Sequence, residues 1–486
     1  MMTEGLYIGG RWVEPLSTAR IDVISPYTEQ VIGTVPDASR EDVDRAVAAA
    51  REAFDRGPWP RLTLDERIAA MKRFTAHLAE REAEIALAVT EEMGCPITLS
   101  KTMQAMGPRL MLDAFIDAAP QVQWSQVRPG AMGTSLITRE PVGVVAAVVP
   151  WNAPLLVASL KLGPALLSGC TVVLKTSPET PLSARFYADA AEAAGLPAGV
   201  LNIVSADRES SEYLISHRGV DKVSFTGSTA AGRRIAEVCG RDLRRVTLEL
   251  GGKSAAVVLD DADFDIVLPQ IRALSLRNSG QVCSNKTRIV VPRSRKKELV
   301  DRVVDMLESL HVGDPKDAVT DIGPLVAQRQ RTMVERYIGV GRDEGARLVT
   351  GGGRPADLEH GWFVQPTLFT DVTPDMTIAR EEIFGPVLSV LEYDTVDEAI
   401  DIANATDYGL SGSVFASDVG RALEVARGMR TGTVELNGNV VGFQSPVGGF
   451  KTSGIGREAG VEGFEAYVEI KSYGIGADYA ARLSAP

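Results

Sequence analysis

Cysteine and histidine are scarce in this chain of 486 residues, four of each, and neither type clusters. Cys95, Cys170, Cys239 and Cys283 are widely spaced and form no pair-of-pairs pattern, which argues against a disulfide framework or a Cys-rich zinc site. His77, His217, His311 and His360 are equally scattered. No metal site is therefore expected, and no base is identifiable for a cofactor-free thiol hydrolase. Long apolar runs are lacking too. The most apolar stretch, Val144 to Val149, stops at Pro150, far short of the roughly 20 residues that span a bilayer. No membrane partner is expected. The opening MMTEGLYIGG has neither the basic start nor the apolar core of a secretory leader, so the expected location is cytoplasmic. Positive charge is in deficit, 51 Lys+Arg against 64 Asp+Glu for a net −13, and the basic residues are interleaved with acidic ones. A surface for the phosphate backbone, and hence nucleic acid, is excluded as a partner.

What is present is a chain long enough for two or three domains, each with a sizeable core. Helices are expected near 39–55 and 63–93, the latter behind the capping box Thr63-x-x-Glu66. From residue 144 the pattern turns to short β-branched runs between amphipathic helices: VVAAVV, TVVLK, VLNIV, KVSF and VTLEL. Unbroken apolar runs suit strands covered on both faces, so the fold class is α/β, with a doubly wound parallel sheet. Ligands of such sheets sit beyond the carboxyl ends of the strands, which predicts one crevice shared by the loops at 150–154, 175–180, 205–209 and 226–232. A second α/β pattern runs from about 254, through RIVV and a helix near 294–309, to about 440. Two pieces fit neither sheet: a hairpin at about 121–140 and the terminal AYVEIKSYGI. They are expected to pair into a small sheet that contacts another subunit, because a soluble protein generally covers its free strand edges.

Four segments carry chemical promise. In FTGSTAAG a strand ends at Gly227 and a helix begins near Ser228, which offers free N–H groups and a positive helix end to a pyrophosphate. VTLELGGKS puts Glu249 at a strand's carboxyl end, where it either reaches the crevice or is an outward or paired charge. Asn152 equally suits a helix cap. In NSGQVCSN a single cysteine stands among small and polar residues instead of apolar ones. A nucleophilic thiolate needs an oxyanion acceptor and a base, and Cys283, Asn152 and Glu249 match those three jobs.

The ordered set PWNAPL, LKTSPETPLSA, GLPAGVLNIV, FTGSTAAG, LELGGKS, NSGQVCSN, EEIFGPV and SPVGGFKTSGIGRE, from LYIGGRW to AYVEIKSYG, closely resembles the NAD(P)-dependent aldehyde dehydrogenase superfamily. The resemblance implies oxidation of a small-molecule aldehyde to the acid through a cysteine thiohemiacetal and thioester. Cys283 would be the nucleophile and Glu249 the base for thioester hydrolysis. Asn152, with the backbone N–H of Cys283, would form the oxyanion hole. It further implies Lys175 on the adenosine ribose, Ser228 on the pyrophosphate, and Glu382 on the ribose next to nicotinamide. Phe384 would pack beside that ring, and Leu250 and Gly251 would approach it through their backbone. Pro150, Trp151, Ser177, Glu179 and Gly227 complete the cofactor set, and Glu458 resembles a more remote acid of the proton path. By the same resemblance, 1–120 with 141–250 bind the dinucleotide, 251–450 form a catalytic domain, and 121–140 with 465–486 bridge subunits of a homodimer or homotetramer.

The match departs from the family in one cofactor position. The third residue after the ribose-binding lysine is often glutamate, and here it is Pro178, with Glu179 one place later. NAD is the expected cofactor, with NADP left open. By position, Val157, Leu160, Val441 and Val447 line the aldehyde tunnel with no Arg or Lys among them, which implies an uncharged medium-chain, branched or aromatic aldehyde. Two rival readings are a CoA-acylating semialdehyde dehydrogenase, which would usually lack a glutamate at position 249, and an inactive structural relative, which the retained Cys283, Glu249 and Asn152 argue against.

Overall fold

A computed structural model describes residues 5–483. Residues 1–4 of the opening segment and 484–486 of the terminal one lie outside the described residues.

The first sheet has eight strands, five of them the expected parallel runs. Their order is Arg245–Glu249, Lys222–Thr226, Val144–Val148, Thr171–Thr176, Leu201–Ser205. Val144–Val148 and Thr171–Thr176 are buried at every position, as continuous apolar runs require when helices cover both faces. Sequence order runs one way from Val144–Val148 and the other way through Lys222–Thr226. The topological switch point therefore lies between these two strands, and the loops that follow them frame the crevice. The short antiparallel strand Gly454–Ile455 pairs with Arg245–Glu249 on one edge and carries the chain toward Glu458.

The second sheet has seven strands around Ala255–Val258 and Arg288–Pro292, parallel except for the edge pair Arg347–Thr350 and Thr367–Thr370. The third is antiparallel: Val468–Ile475 pairs with Gly133–Pro141, which forms a hairpin with Ser125–Gly130. No helix among the described residues is long and apolar enough to cross a membrane.

Three expectations need correction. The segment 63–93 is two helices, Leu64–Glu80 and Glu82–Met93, broken at Arg81, whose guanidinium is drawn aside to Glu84, Asp189 and the ring of Phe186. The first forty residues, read without strands, contain four: Leu6–Ile8, Arg11–Val13, Arg20–Ile24 and Val31–Pro36. The loops at 175–180 and 205–209 do not line the crevice formed by those at 150–153 and 226–230, because their strands lie one and two places farther from the switch point.

Candidate active site

A cavity of about 1330 Å³ opens between the two large sheets, and Cys283, Glu249 and Asn152 all line it. The loop that carries Cys283 is held in an unusual shape. Asn278, Ser279 and Gly280 are consecutive left-handed residues, with φ of 53°, 55° and 81°. At the non-glycine positions such a backbone costs about 1–3 kcal/mol each and persists only where the surroundings hold it. Here they are held: Ser279 Oγ donates to the Gly323 carbonyl at 2.9 Å, and Asn278 Nδ2 donates to the Asn152 carbonyl at 3.1 Å. The buried Gln281 amide donates to the Asn278 carbonyl and accepts from the Val326 N–H, both at 3.0 Å. A side chain at position 280 would overlap the Gly385 carbonyl, so glycine is required there. The loop ends with Cys283 half-buried on the cavity wall.

Asn152 follows the strand at the switch point. The next helix, Pro154–Ser168, has no side-chain cap, so the capping alternative does not apply. Instead, Asn152 Nδ2 donates to the Gln281 carbonyl at 2.9 Å, two residues before Cys283, and the Asn152 carbonyl accepts from Gln104 Nε2 at 2.9 Å. One amide N–H is thereby fixed against the cysteine loop, which leaves the other for an oxygen acceptor.

Glu249 ends its strand buried, and its Oε1 has no hydrogen-bond partner. Burial and then the neighbouring Glu458 hold its carboxyl well above the usual carboxylate range. Glu458 also lines the cavity and pairs with Lys161 at 2.8 Å, while Lys161 donates to Thr226 Oγ1 at 2.8 Å. Burial, with Glu382 and Glu249 nearby, pushes the Cys283 thiol up to about 12, and Arg277 opposes the shift. The resting site thus holds a protonated thiol beside a carboxyl group that binds its proton more tightly than an ordinary carboxylate.

Most of the expected cofactor residues share this cavity: Pro150, Trp151, Gly227, Ser228, Leu250, Gly251, Glu382 and Phe384. Ser228 caps the helix Thr229–Arg241, and its Oγ accepts from the Ala231 N–H at 3.3 Å. The Gly252 N–H donates to Glu382 Oε1 at 3.1 Å, and a side chain at Gly251 would overlap that carboxylate. Burial raises Glu382 to about 7. Phe384 has φ of 59° and meets Trp151 edge-to-face, with ring centroids 5.3 Å apart. Lys175, Ser177 and Glu179 stand outside the lining. Burial lowers Lys175 to about 8 against the pull of Glu179 and Asp207, and Ser177 donates to Glu179. Glu179 also pairs with Arg329, which does line the cavity, so this group adjoins the crevice at its border.

Val157, Leu160, Val441 and Val447 line the cavity as expected, but Arg277 joins them. The four matched positions hold no Arg or Lys, but the cavity they line is not free of them. Arg277 lies outside those four positions and immediately precedes NSGQVCSN. Sequence reasoning also passed over Gln104, Lys161, Asn278 and Gln281 as supports. The last two lie inside the quoted cysteine motif, whereas nothing local marks Gln104 or Lys161.

The model of the aldehyde dehydrogenase family matches residues 12–473. Geranial dehydrogenase of Castellaniella defragrans is 46% identical over 470 residues, 96% of this chain and 98% of the relative. A Mycobacterium tuberculosis aldehyde dehydrogenase solved with NAD+ superposes with a TM-score of 0.96 at 46% identity, covering 98% of each chain. A mutant of Pseudomonas syringae aldehyde dehydrogenase C, solved with NAD+ and octanal, gives a TM-score of 0.94 at 41% identity, covering 97% of this chain and 96% of that one.

Proposed function

The chain belongs to the aldehyde dehydrogenase family and oxidises aldehydes, and on that premise we propose that it uses NAD+ and works through a thiohemiacetal and then a thioester on Cys283. The observation that carries this reading is the convergence of Cys283, Asn152 and Glu249, from three distant stretches, on one cavity.

The residues present fit a dinucleotide. Thr229, whose hydroxyl meets Tyr408, lies on the cavity wall at the start of the Thr229–Arg241 helix, where free N–H groups favour a phosphate. Gly251 leaves room against Glu382 that any side chain would fill. Ser228 and Gly227 would hold the pyrophosphate, Glu382 the nearer ribose, and Lys175, Ser177 and Glu179 the adenosine end. When bound, the nicotinamide supplies the hydride acceptor. NAD+ in preference to NADP+ is supported by the NAD+-bound neighbours and by the Glu179 carboxylate, which would repel a 2′-phosphate.

In the addition step the Cys283 thiol loses its proton to water and the sulfur bonds to the carbonyl carbon. Asn152 Nδ2 and the Cys283 N–H hold the oxygen that becomes negative. In the release step Glu249 takes a proton from water, the hydroxide adds to the thioester carbonyl, and the C–S bond breaks to free the acid. Glu458, held by Lys161, stands behind Glu249 as the next acceptor for its proton. The boundaries 1–120 with 141–250, 251–450, and 121–140 with 465–486 are proposed as the dinucleotide, catalytic and bridging parts. Exposed Ile470 and Tyr473 on the three-stranded sheet support a homodimer or homotetramer, which light scattering would test. A cytoplasmic location is supported by four unpaired thiols.

The test is NADH absorbance with a panel of aldehydes, each cofactor, and no coenzyme A. Turnover with NAD+ is expected. No absorbance change with any aldehyde, or turnover only after coenzyme A is added, would overturn the proposal.

A further inference from the structure

Glu179 is placed to meet the adenosine end of the dinucleotide, yet both of its oxygens are already engaged. Oε1 accepts from Arg329 Nη2, and Oε2 accepts from Ser177 Oγ. Arg329 stands in the first turn of helix Gln328–Asp343, 150 residues along the chain, and lines the cavity. The ion pair therefore joins the two large α/β parts at the border of the crevice. Burial would raise the Glu179 carboxyl, but Arg329 and then Ser177 outweigh it and hold it below the usual carboxylate range. Glu179 is thus an anion at neutral pH.

The Arg329 side chain is 55% exposed, and an ion pair so open to water adds little to the fold. Its effect on a ligand is larger. An unpaired carboxylate here would repel a 2′-phosphate, and the guanidinium cancels that charge. Among the described residues Arg329 donates only through Nη2, which leaves Nε and Nη1 to an anion, in the fork geometry that suits phosphate. The other cation at this end, the buried Lys175, is already drawn on by Glu179, Asp207 and Asp37. Arg329 is the cation with N–H groups to spare.

We propose that Arg329 is a specificity-determining residue for the cofactor: it neutralises Glu179 and offers its free N–H groups to a 2′-phosphate, which narrows the preference for NAD+ over NADP+. This rests on the dinucleotide reading of the cavity and deepens it at the adenosine end.

The test titrates the wild type, Arg329→Met, Arg329→Lys and Glu179→Gln with NAD+ and with NADP+ by calorimetry, so that no turnover is needed. Arg329→Met should widen the ratio of NADP+ to NAD+ dissociation constants by about 10- to 100-fold, the scale of a lost hydrogen bond to a charged group. Arg329→Lys keeps the charge without the fork and should recover part of that loss. Glu179→Gln should narrow the ratio. In Arg329→Met, adenosine 2′,5′-bisphosphate should weaken alongside NADP+ and adenosine 5′-phosphate should not, which assigns the effect to the 2′-phosphate. An unchanged ratio in Arg329→Met overturns the proposal. So does an equal loss of both dinucleotides, because the pair would then only brace the two parts of the fold. A wild type that binds neither dinucleotide would instead strike the reading on which the proposal rests.

Discussion

Lys161 Nζ lies 2.8 Å from Glu458 Oε1, and the two side chains, 297 residues apart in sequence, are 0% and 1% exposed. Helix Pro154–Ser168 delivers one, and the segment after Gly454–Ile455 delivers the other behind the strand that ends in Glu249. Breaking a buried pair from one side leaves a charge with no counterion and costs about 3–5 kcal/mol. Glu458→Gln should therefore lower the urea midpoint markedly at neutral pH. The double variant Lys161→Met with Glu458→Leu, which removes both charges, should recover most of the loss. A double variant as unstable as the single one would show that the two do not act as a unit.

The same pair shapes the behaviour of Glu249. Burial and the facing Glu458 raise its pKa, so its basic form fills only as pH rises past that elevated value. Turnover limited by thioester release should therefore climb as pH rises past that elevated value, well above where an ordinary carboxylate titrates. Glu249→Gln should flatten this limb and slow steady turnover by roughly 10²- to 10⁴-fold. Stopped-flow traces should then show a burst of NADH followed by a slow phase. Loss of the burst itself would move Glu249 from water activation to thiol activation.

The sequence made the parallel strands legible because each is a continuous apolar run, a pattern that follows directly from burial on both faces. The terminal strand and the hairpin could be paired in advance for the opposite reason, since neither buries a face alone. The strands before residue 40 escaped because they are short: Leu6–Ile8 has only three residues, and the largely exposed Arg11–Val13 shows no apolar run. At the site, NSGQVCSN and the strand-end glutamate could be recognised locally. The bond from Asn152 to Gln281 spans 129 residues, and no local pattern encodes it. The separation of the 175–180 loop from the cavity depends on strand order, a tertiary fact that the motifs do not carry. Arg277 escaped because a tunnel wall is assembled from several segments, and position within one motif does not show which way a long side chain runs.

Cys283→Ser should abolish aldehyde oxidation, by roughly 10⁴-fold or more, because the hydroxyl cannot replace the thiolate. NAD+ binding, followed by quenching of tryptophan fluorescence, should survive. In the wild type the thiol is pushed up to about 12, so the thiolate fraction grows about tenfold per pH unit below that value. Iodoacetamide inactivation without cofactor should accelerate accordingly, with no plateau through about pH 10. A plateau near neutrality would mean that the cysteine is already ionised at rest.

Gly280 and Gly195 separate the two reasons a glycine is needed. Both are left-handed, with φ of 81° and 69°. At Gly195, past the end of helix Arg185–Ala194, an added Cβ would meet nothing within 4 Å, so Gly195→Ala carries only the conformational penalty of about 1–2 kcal/mol. At Gly280 the same methyl would overlap the Gly385 carbonyl, and backbone must move. That movement propagates to Gln281, whose carbonyl anchors Asn152, and to Cys283 two residues later. Gly195→Ala is therefore expected to lower stability modestly with turnover unchanged. Gly280→Ala should lose turnover by about 10²-fold, the scale of a 1 Å misplacement at a reacting centre, in addition to stability. Equal turnover in the two variants would show that the cysteine loop tolerates displacement, and that its left-handed turn does not set the position of the sulfur.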